Sequence, residues 1–157
     1  MSNQYRTLWM EYAPRKFNSE EEIRIIGEGL LDRSLPKTLW THEAHFAAVV
    51  YLLIQKPEID LETQLPKIIF QYNEASGGMN TDTGGYHETL TQFYIKLIRS
   101  FISRFQPTIK LLDLCNNLVT SPECDRNYPL KFYSKNMLFS VQARKEWVNP
   151  DLLEFNF

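Results

Sequence analysis

One stretch of the sequence is apolar on almost every side when it is drawn as a helix. It starts near Thr41 and runs to about Gln55, and Lys56-Pro57 predicts its end. Between Ala44 and Ile54 nearly every residue is apolar. A surface helix keeps one polar face, so a helix of this kind is expected in the middle of a helical bundle.

Several other segments repeat apolar residues at helical spacing, and none alternates with the period of two that is typical of a strand. Ser19, followed by three glutamates, predicts a capped helix start, and Leu35-Pro36 predicts an end near Ser34. Thr83 is the expected N-cap of the longest helix. The predicted helices cover 20–34, 41–55, a segment that starts between 60 and 66 and ends at 75, 84–105, 108–119 and 140–147.

These segments predict an all-α fold, an up-down bundle of four main helices plus short C-terminal helices. The chain of 157 residues suits a single helical domain over 1–157. Residues 1–18 are expected to form an N-terminal arm. Residues 121–157 are expected to form a C-terminal extension that packs on the bundle.

Composition narrows the function classes. The net charge of −2 does not favour binding to nucleic acid or to an anionic membrane surface. No apolar run approaches the roughly 20 residues that span a bilayer, and the first residues lack a signal pattern, which predicts a cytoplasmic protein. The two cysteines, Cys115 and Cys124, lack the spacing of a metal or redox motif and are expected to be unbridged.

All three histidines of the chain stand at predicted helix starts. His42 and His45 open the second helix, and His87 follows a polar loop before the fourth. If the four main helices alternate in direction, the starts of the second and fourth helices lie at the same end of the bundle. The end of the third helix, with Tyr72 and Asn73, reaches that end as well. The sequence therefore predicts one site that contains all these residues.

The spacing of His42 and His45 places both imidazoles on one face of a helix, where they could bind one ion. His87 would be the third ligand and leave an open coordination position, as in catalytic metal sites. Glu88 would act with His87 in acid/base catalysis or activate a bound water. The expected cofactor is a divalent metal, and Zn, Fe, Mn and Ni are not distinguished. A lone histidine on an apolar helix is nevertheless more often a buried structural residue, and the HxxH pattern is a weak signal.

An alternative needs no metal. Helix N-termini carry partial positive charge and attract anions, and two of them are expected to meet here. A small anionic ligand would then lie against the polar loop and the end of the third helix. The predicted ligand-binding residues are Tyr72, Asn73, Thr81, Thr83, Gly84, Gly85 and Tyr86. No lysine follows the glycines, so the loop is not a Walker motif.

Three segments together resemble a family of small, uncharacterised bacterial all-helical proteins: 39–45, 72–75 with 80–89, and 144–152. The string Thr83-Gly84-Gly85-Tyr86-His87-Glu88-Thr89 is the most specific of them, and the C-terminal segment contains Trp147-Val148-Asn149-Pro150-Asp151-Leu152. The resemblance implies a shared site and no particular reaction. The chain is also loosely similar to metal-dependent four-helix hydrolases and thiol transferases. Those place an HxxxH pair on a late helix, whereas here an HxxH pair comes early.

Three functions are compatible with these features. The first is a small enzyme that carries out hydrolytic or acid/base chemistry on a small anionic substrate, with or without a metal. The second is a non-catalytic module that binds a small anionic ligand. The third is a protein-interaction domain that uses Phe132-Tyr133 and the segment 147–157, although such apolar residues more often pack back on their own bundle.

Overall fold

The computed structural model describes residues 14–157, so the first part of the expected N-terminal arm lies outside the described residues. Helices are the only regular secondary structure in this range, which confirms the all-α prediction. The helices are α1 (Glu20–Leu31), α2 (His42–Gln55), α3 (Leu61–Ala75), α4 (Glu88–Ile102), α5 (Leu111–Val119), α6 (Lys135–Leu138) and α7 (Val141–Lys145). Short 3₁₀ turns cover Lys37–Leu39, Pro122–Cys124 and Tyr128–Lys131.

Helix α2 is the central helix of the fold, as its sequence predicts. Most of its residues are buried, and α1, α4 and α5 pack against it. Gly27 lets α1 approach closely, because a Cβ atom there would lie 2.1 Å from Cδ1 of Tyr51. The Tyr51 hydroxyl then donates a hydrogen bond to Glu28 across the same contact.

The first two helix starts agree with the prediction. The Ser19 hydroxyl accepts the Glu22 N–H, and Glu22 reaches back to the Asn18 N–H. Thr41 caps α2 by accepting the N–H of Ala44. These caps are local, so the sequence alone is enough to locate them.

The predicted start of α4 is wrong by several residues. The helix begins at Glu88 with His87 as its N-cap, and Thr83 lies in the loop before it. The reason is the loop geometry: Gly85 has a φ of +79°, which ends the turn and does not begin a helix. The helix also ends at Ile102, three residues before the predicted end at Phe105.

The chain after α5 packs on α4. Phe93 of α4 contacts the rings of Phe132, Phe155 and Phe157, with ring centroids 5.5–5.8 Å apart. The Tyr133 hydroxyl is buried and donates to the carbonyl of Val148. These residues form an aromatic cluster that is separate from the main core around α2.

Both cysteines are free and buried, which confirms that they are unbridged. Burial raises the pKa of each thiol to about 12. Within residues 14–157 no helix is long and apolar enough to cross a membrane.

Candidate functional site

A cavity of about 440 Å³ lies between α2, α3 and α4. The side chains of all three histidines line it, together with Asn73, Gly85 and Tyr86. The start of α2, the end of α3 and the start of α4 are therefore adjacent in space. Tyr72, Thr81, Thr83, Gly84 and Glu88 do not line this cavity.

Aromatic rings form much of the cavity wall. The rings of Trp40 and His45 are stacked with their centroids 3.8 Å apart. Phe46 contacts His42 on one side and Tyr94 on the other, in both cases edge to face with centroids 5.0 Å apart. Aliphatic side chains complete the wall: Leu30, Val49, Leu65, Ile69, Leu90 and Ile98. The cavity thus suits a flat, mostly apolar molecule.

His42 has one ring nitrogen bound and one available. Its Nε2 donates to the backbone carbonyl of Cys124 at 2.6 Å. In the described part of the chain, every fully buried side-chain nitrogen or oxygen has a hydrogen-bond partner. Nδ1 of His42 has none, so it is not fully buried and solvent reaches it. Burial lowers the pKa of His42, although the carbonyl partly offsets this effect. The neutral imidazole therefore offers Nδ1 as a hydrogen-bond acceptor.

His45 has the opposite tautomer. Its Nδ1 donates to the carbonyl of Thr41 at 2.6 Å, which leaves Nε2 as the acceptor. The ring is accessible from the cavity, yet protein atoms surround it closely. The loss of solvation in these surroundings lowers the pKa of His45 to about 4.

His87 lines the cavity, but both of its ring nitrogens are bonded to the backbone. Nδ1 accepts the N–H of Leu90 at 3.1 Å, and Nε2 donates to the carbonyl of Leu138 at 2.7 Å. Only 8% of the residue is exposed. Burial lowers its pKa, which keeps the ring neutral and able to accept the Leu90 hydrogen bond. In this arrangement His87 has no nitrogen left for a metal or for proton transfer.

The predicted set of three histidine ligands is not formed. Among the residues from 14 onward, no three His, Cys, Asp or Glu side chains are placed to hold a metal ion. His87 is not available as the third ligand, because both of its ring nitrogens are bonded to the backbone, whereas His42 and His45 each use only one nitrogen in this way.

The polar loop before α4 bonds mainly to itself. The Thr81 hydroxyl accepts the N–H groups of Thr83 and Gly84, and the carbonyl of Gly84 accepts the Thr81 N–H. Asn80 accepts the Tyr86 N–H and a hydrogen bond from the Asn73 side chain. These bonds give the Thr-Gly-Gly string a structural role in a closed turn.

Two other predicted site residues also have structural partners. Tyr72 is fully buried, and its hydroxyl donates to the carbonyl of Leu35. Glu88 accepts hydrogen bonds from the Tyr86 hydroxyl and from the Gln92 side chain. Neither residue presents a polar group to the cavity.

The start of α4 is bound to the C-terminal segment. Arg144 donates to the carbonyls of Gly85 and Tyr86 at 3.1 and 3.3 Å. The buried Thr89 hydroxyl donates to the carbonyl of Glu146 and accepts the Val148 N–H. The strings 83–89 and 147–152 thus contact each other through Thr89 and Val148.

The cavity residues that were not among the predicted site residues include Trp40, Tyr94 and Arg126. Tyr94 follows Thr91 and precedes Ile98 on one face of α4, and this spacing is the signal that could have identified it. Burial raises the pKa of the Tyr94 hydroxyl. Arg126 comes from an irregular segment, and no sequence pattern connects it to the histidines.

Comparison with protein-family models, with curated proteins and with solved structures gives no significant match to this chain.

Proposed function

We propose that this protein binds a small molecule with a flat apolar body in the cavity between α2, α3 and α4. The observation that carries the proposal is the cavity itself, about 440 Å³ in volume, with aromatic walls and two neutral imidazoles that each have one unpaired nitrogen. Sites for small molecules are typically of this size, largely apolar, with a few polar groups that fix the orientation.

Charge favours an acidic or neutral ligand over a cation. Arg126 is the one formally charged side chain among the described residues that line the cavity, and no carboxylate lines it. The absence of a carboxylate among these described residues disfavours a cation and is compatible with the anionic ligand expected from the sequence. The helix starts contribute less than expected, because the Ala44 and Leu90 N–H groups are already bonded to Thr41 and His87.

A second candidate function is acid/base catalysis with His42 as the base. A histidine held by a carbonyl at one nitrogen, with solvent access to the other, has the arrangement of a general base. Glu88 and His87, the catalytic pair expected from the sequence, have other partners, so His42 takes this role in the proposal.

The proposal assumes that the four main helices alternate in direction, as in an up-down bundle. That order is supported by one cavity lined by the starts of α2 and α4 and by the end of α3.

The test is a titration with 2-naphthoate, an aromatic anion, followed by the imidazole NMR signals of His42 and His45. We expect both signals to shift and the binding to saturate. Leu90→Trp should weaken binding by filling the cavity, whereas Leu112→Trp on α5 should not, because Leu112 is half-buried outside the cavity. Absence of binding, or equal binding by the two variants, would refute the proposal.

A further inference from the structure

We infer that the cavity selects a ligand whose aromatic ring carries a hydroxyl group, and that one of the two histidines, His42 or His45, accepts the hydrogen bond from this hydroxyl. The inference rests on the proposed function and specifies the chemical class of its ligand.

The argument begins with the two tautomers. A backbone carbonyl can only accept a hydrogen bond, so the ring nitrogen that faces it must carry the proton. His42 uses Nε2 in this way with Cys124, and His45 uses Nδ1 with Thr41. In a neutral imidazole the second nitrogen then has a lone pair and no proton. The two residues together present two acceptors and no donor to a ligand.

The neutral state of both rings is consistent with their surroundings. Burial lowers the pKa of each histidine, and the nearby charge of Arg126 lowers it further. Near neutral pH a ligand carboxylate would therefore meet lone pairs at the histidines, which is unfavourable, and would be better placed near Arg126. The histidine side of the cavity requires a donor.

Tyr94 distinguishes a hydroxyl from an aromatic N–H donor. Tyr94 also lines the cavity, and its ring contacts Phe46, which in turn contacts the ring of His42. A ligand hydroxyl can donate to an imidazole nitrogen and at the same time accept from the hydroxyl of Tyr94, whereas an N–H group can only donate. A cationic amine is disfavoured, because none of the described residues that line the cavity is a carboxylate that could balance its charge.

The first experiment determines the tautomers directly. Two-bond ¹H–¹⁵N spectra at neutral pH should show His42 protonated at Nε2 and His45 protonated at Nδ1. Addition of 4-hydroxybenzoate should shift the signal of the unprotonated nitrogen of at least one of them. The reverse tautomers, or two charged rings, would overturn the inference whatever the affinity of the ligand.

The second experiment compares 4-hydroxybenzoate with 4-methylbenzoate, which has the same shape and charge but no donor. One neutral hydrogen bond is worth about five- to tenfold in affinity, so 4-hydroxybenzoate should bind tighter by that factor. The variant that removes the accepting histidine, either His42→Phe or His45→Phe, should reduce this preference to about onefold. His45→Phe is the cleaner variant, since the Thr41 carbonyl keeps its bond from the His45 N–H. Trp40→Phe is the matched control, because it should weaken both ligands alike and leave the preference unchanged.

The outcomes separate the inference from the proposed function. Equal affinities for the two benzoates, or a preference that survives in both histidine variants, would overturn the inference and leave the proposed function standing. If neither benzoate nor 2-naphthoate shifts a cavity signal, both fail.

Discussion

Two helix starts of this protein carry histidines, and they use them differently. At α2 the cap is Thr41, and His42 and His45 each keep one ring nitrogen unpaired. At α4 the histidine is itself the cap, and both nitrogens of His87 are bonded to the backbone. The comparison teaches that the residue that caps the helix decides whether a nearby histidine remains available to a ligand.

The surroundings of the two starts reinforce the difference. The start of α4 is joined to the C-terminal segment through Arg144 and Thr89, and its loop is closed by Thr81. Both helix starts line the cavity, but at the start of α2 His42 and His45 each use only one ring nitrogen in a hydrogen bond to the backbone. The α4 region is therefore a structural junction, and the α2 region is the candidate binding surface. The predictions below test that division, beginning with the largest expected effect.

Gly85→Ala should have the largest effect. A Cβ atom at this position would lie 2.5 Å from the carbonyl oxygen of Met79, and its φ of +79° is unfavourable for alanine. We expect a loss of about 3–4 kcal/mol in the free energy of unfolding, measured with urea. Gly77 also has a positive φ, +86°, but open space surrounds it, so Gly77→Ala tests the backbone contribution alone. This variant should lose about 1 kcal/mol in the free energy of unfolding. Gly84→Ala should leave the free energy of unfolding nearly unchanged. An equal loss of stability in all three variants would contradict the explanation by backbone φ and close contact.

His87→Ala should destabilise the protein by about 2–3 kcal/mol. It removes the cap of α4 and leaves the carbonyl of Leu138 without its donor. His45→Ala, made at the other helix start, should cost about 1 kcal/mol or less, because the Thr41 carbonyl keeps the His45 N–H. Urea unfolding curves measure both values. A stable His87→Ala protein that no longer binds 2-naphthoate would reverse the roles of the two regions.

Stability should fall as the pH is lowered from 7 to 5. Each histidine has a lowered pKa in the folded protein, so between its unfolded pKa of about 6.5 and its lower folded pKa the unfolded chain binds more protons. Their contribution to stability is present above about pH 6.5 and is lost as the pH falls. We expect a loss on the order of 1 kcal/mol by pH 5, with a smaller slope in His87→Ala. If the free energy of unfolding of the unmodified protein did not change between pH 7 and 5, the pKa values of the histidines would not be lowered in the folded protein.

Arg144→Ala should have the smallest measurable effect, about 1 kcal/mol, because two hydrogen bonds to the loop carbonyls are lost. Lys145→Ala is the matched control in the same short helix. Its ion pair with Asp82 joins two exposed side chains, so no measurable change in the melting temperature is expected. If the control lost as much as Arg144→Ala, the junction would depend on net charge and not on the loop carbonyls.

The fold was largely predictable because its signals are local. The capping pattern at Ser19, the cap at Thr41 and the apolar run of α2 each depend on residues within a few positions of one another. The start of α4 was harder to predict, because Thr83 and His87 are both possible caps. The loop bonds of Thr81 and the backbone of Gly85 select the second.

The sequence by itself determined that the chain is helical, that α2 is central, and that all three histidines stand at helix starts. The tertiary structure alone decided which histidine nitrogens are available. The carbonyls that bind His42 and His87 belong to Cys124 and Leu138, which lie far along the chain. A hydrogen bond between distant residues leaves no periodic signal in a sequence, since it depends on how the helices pack and not on spacing within one helix.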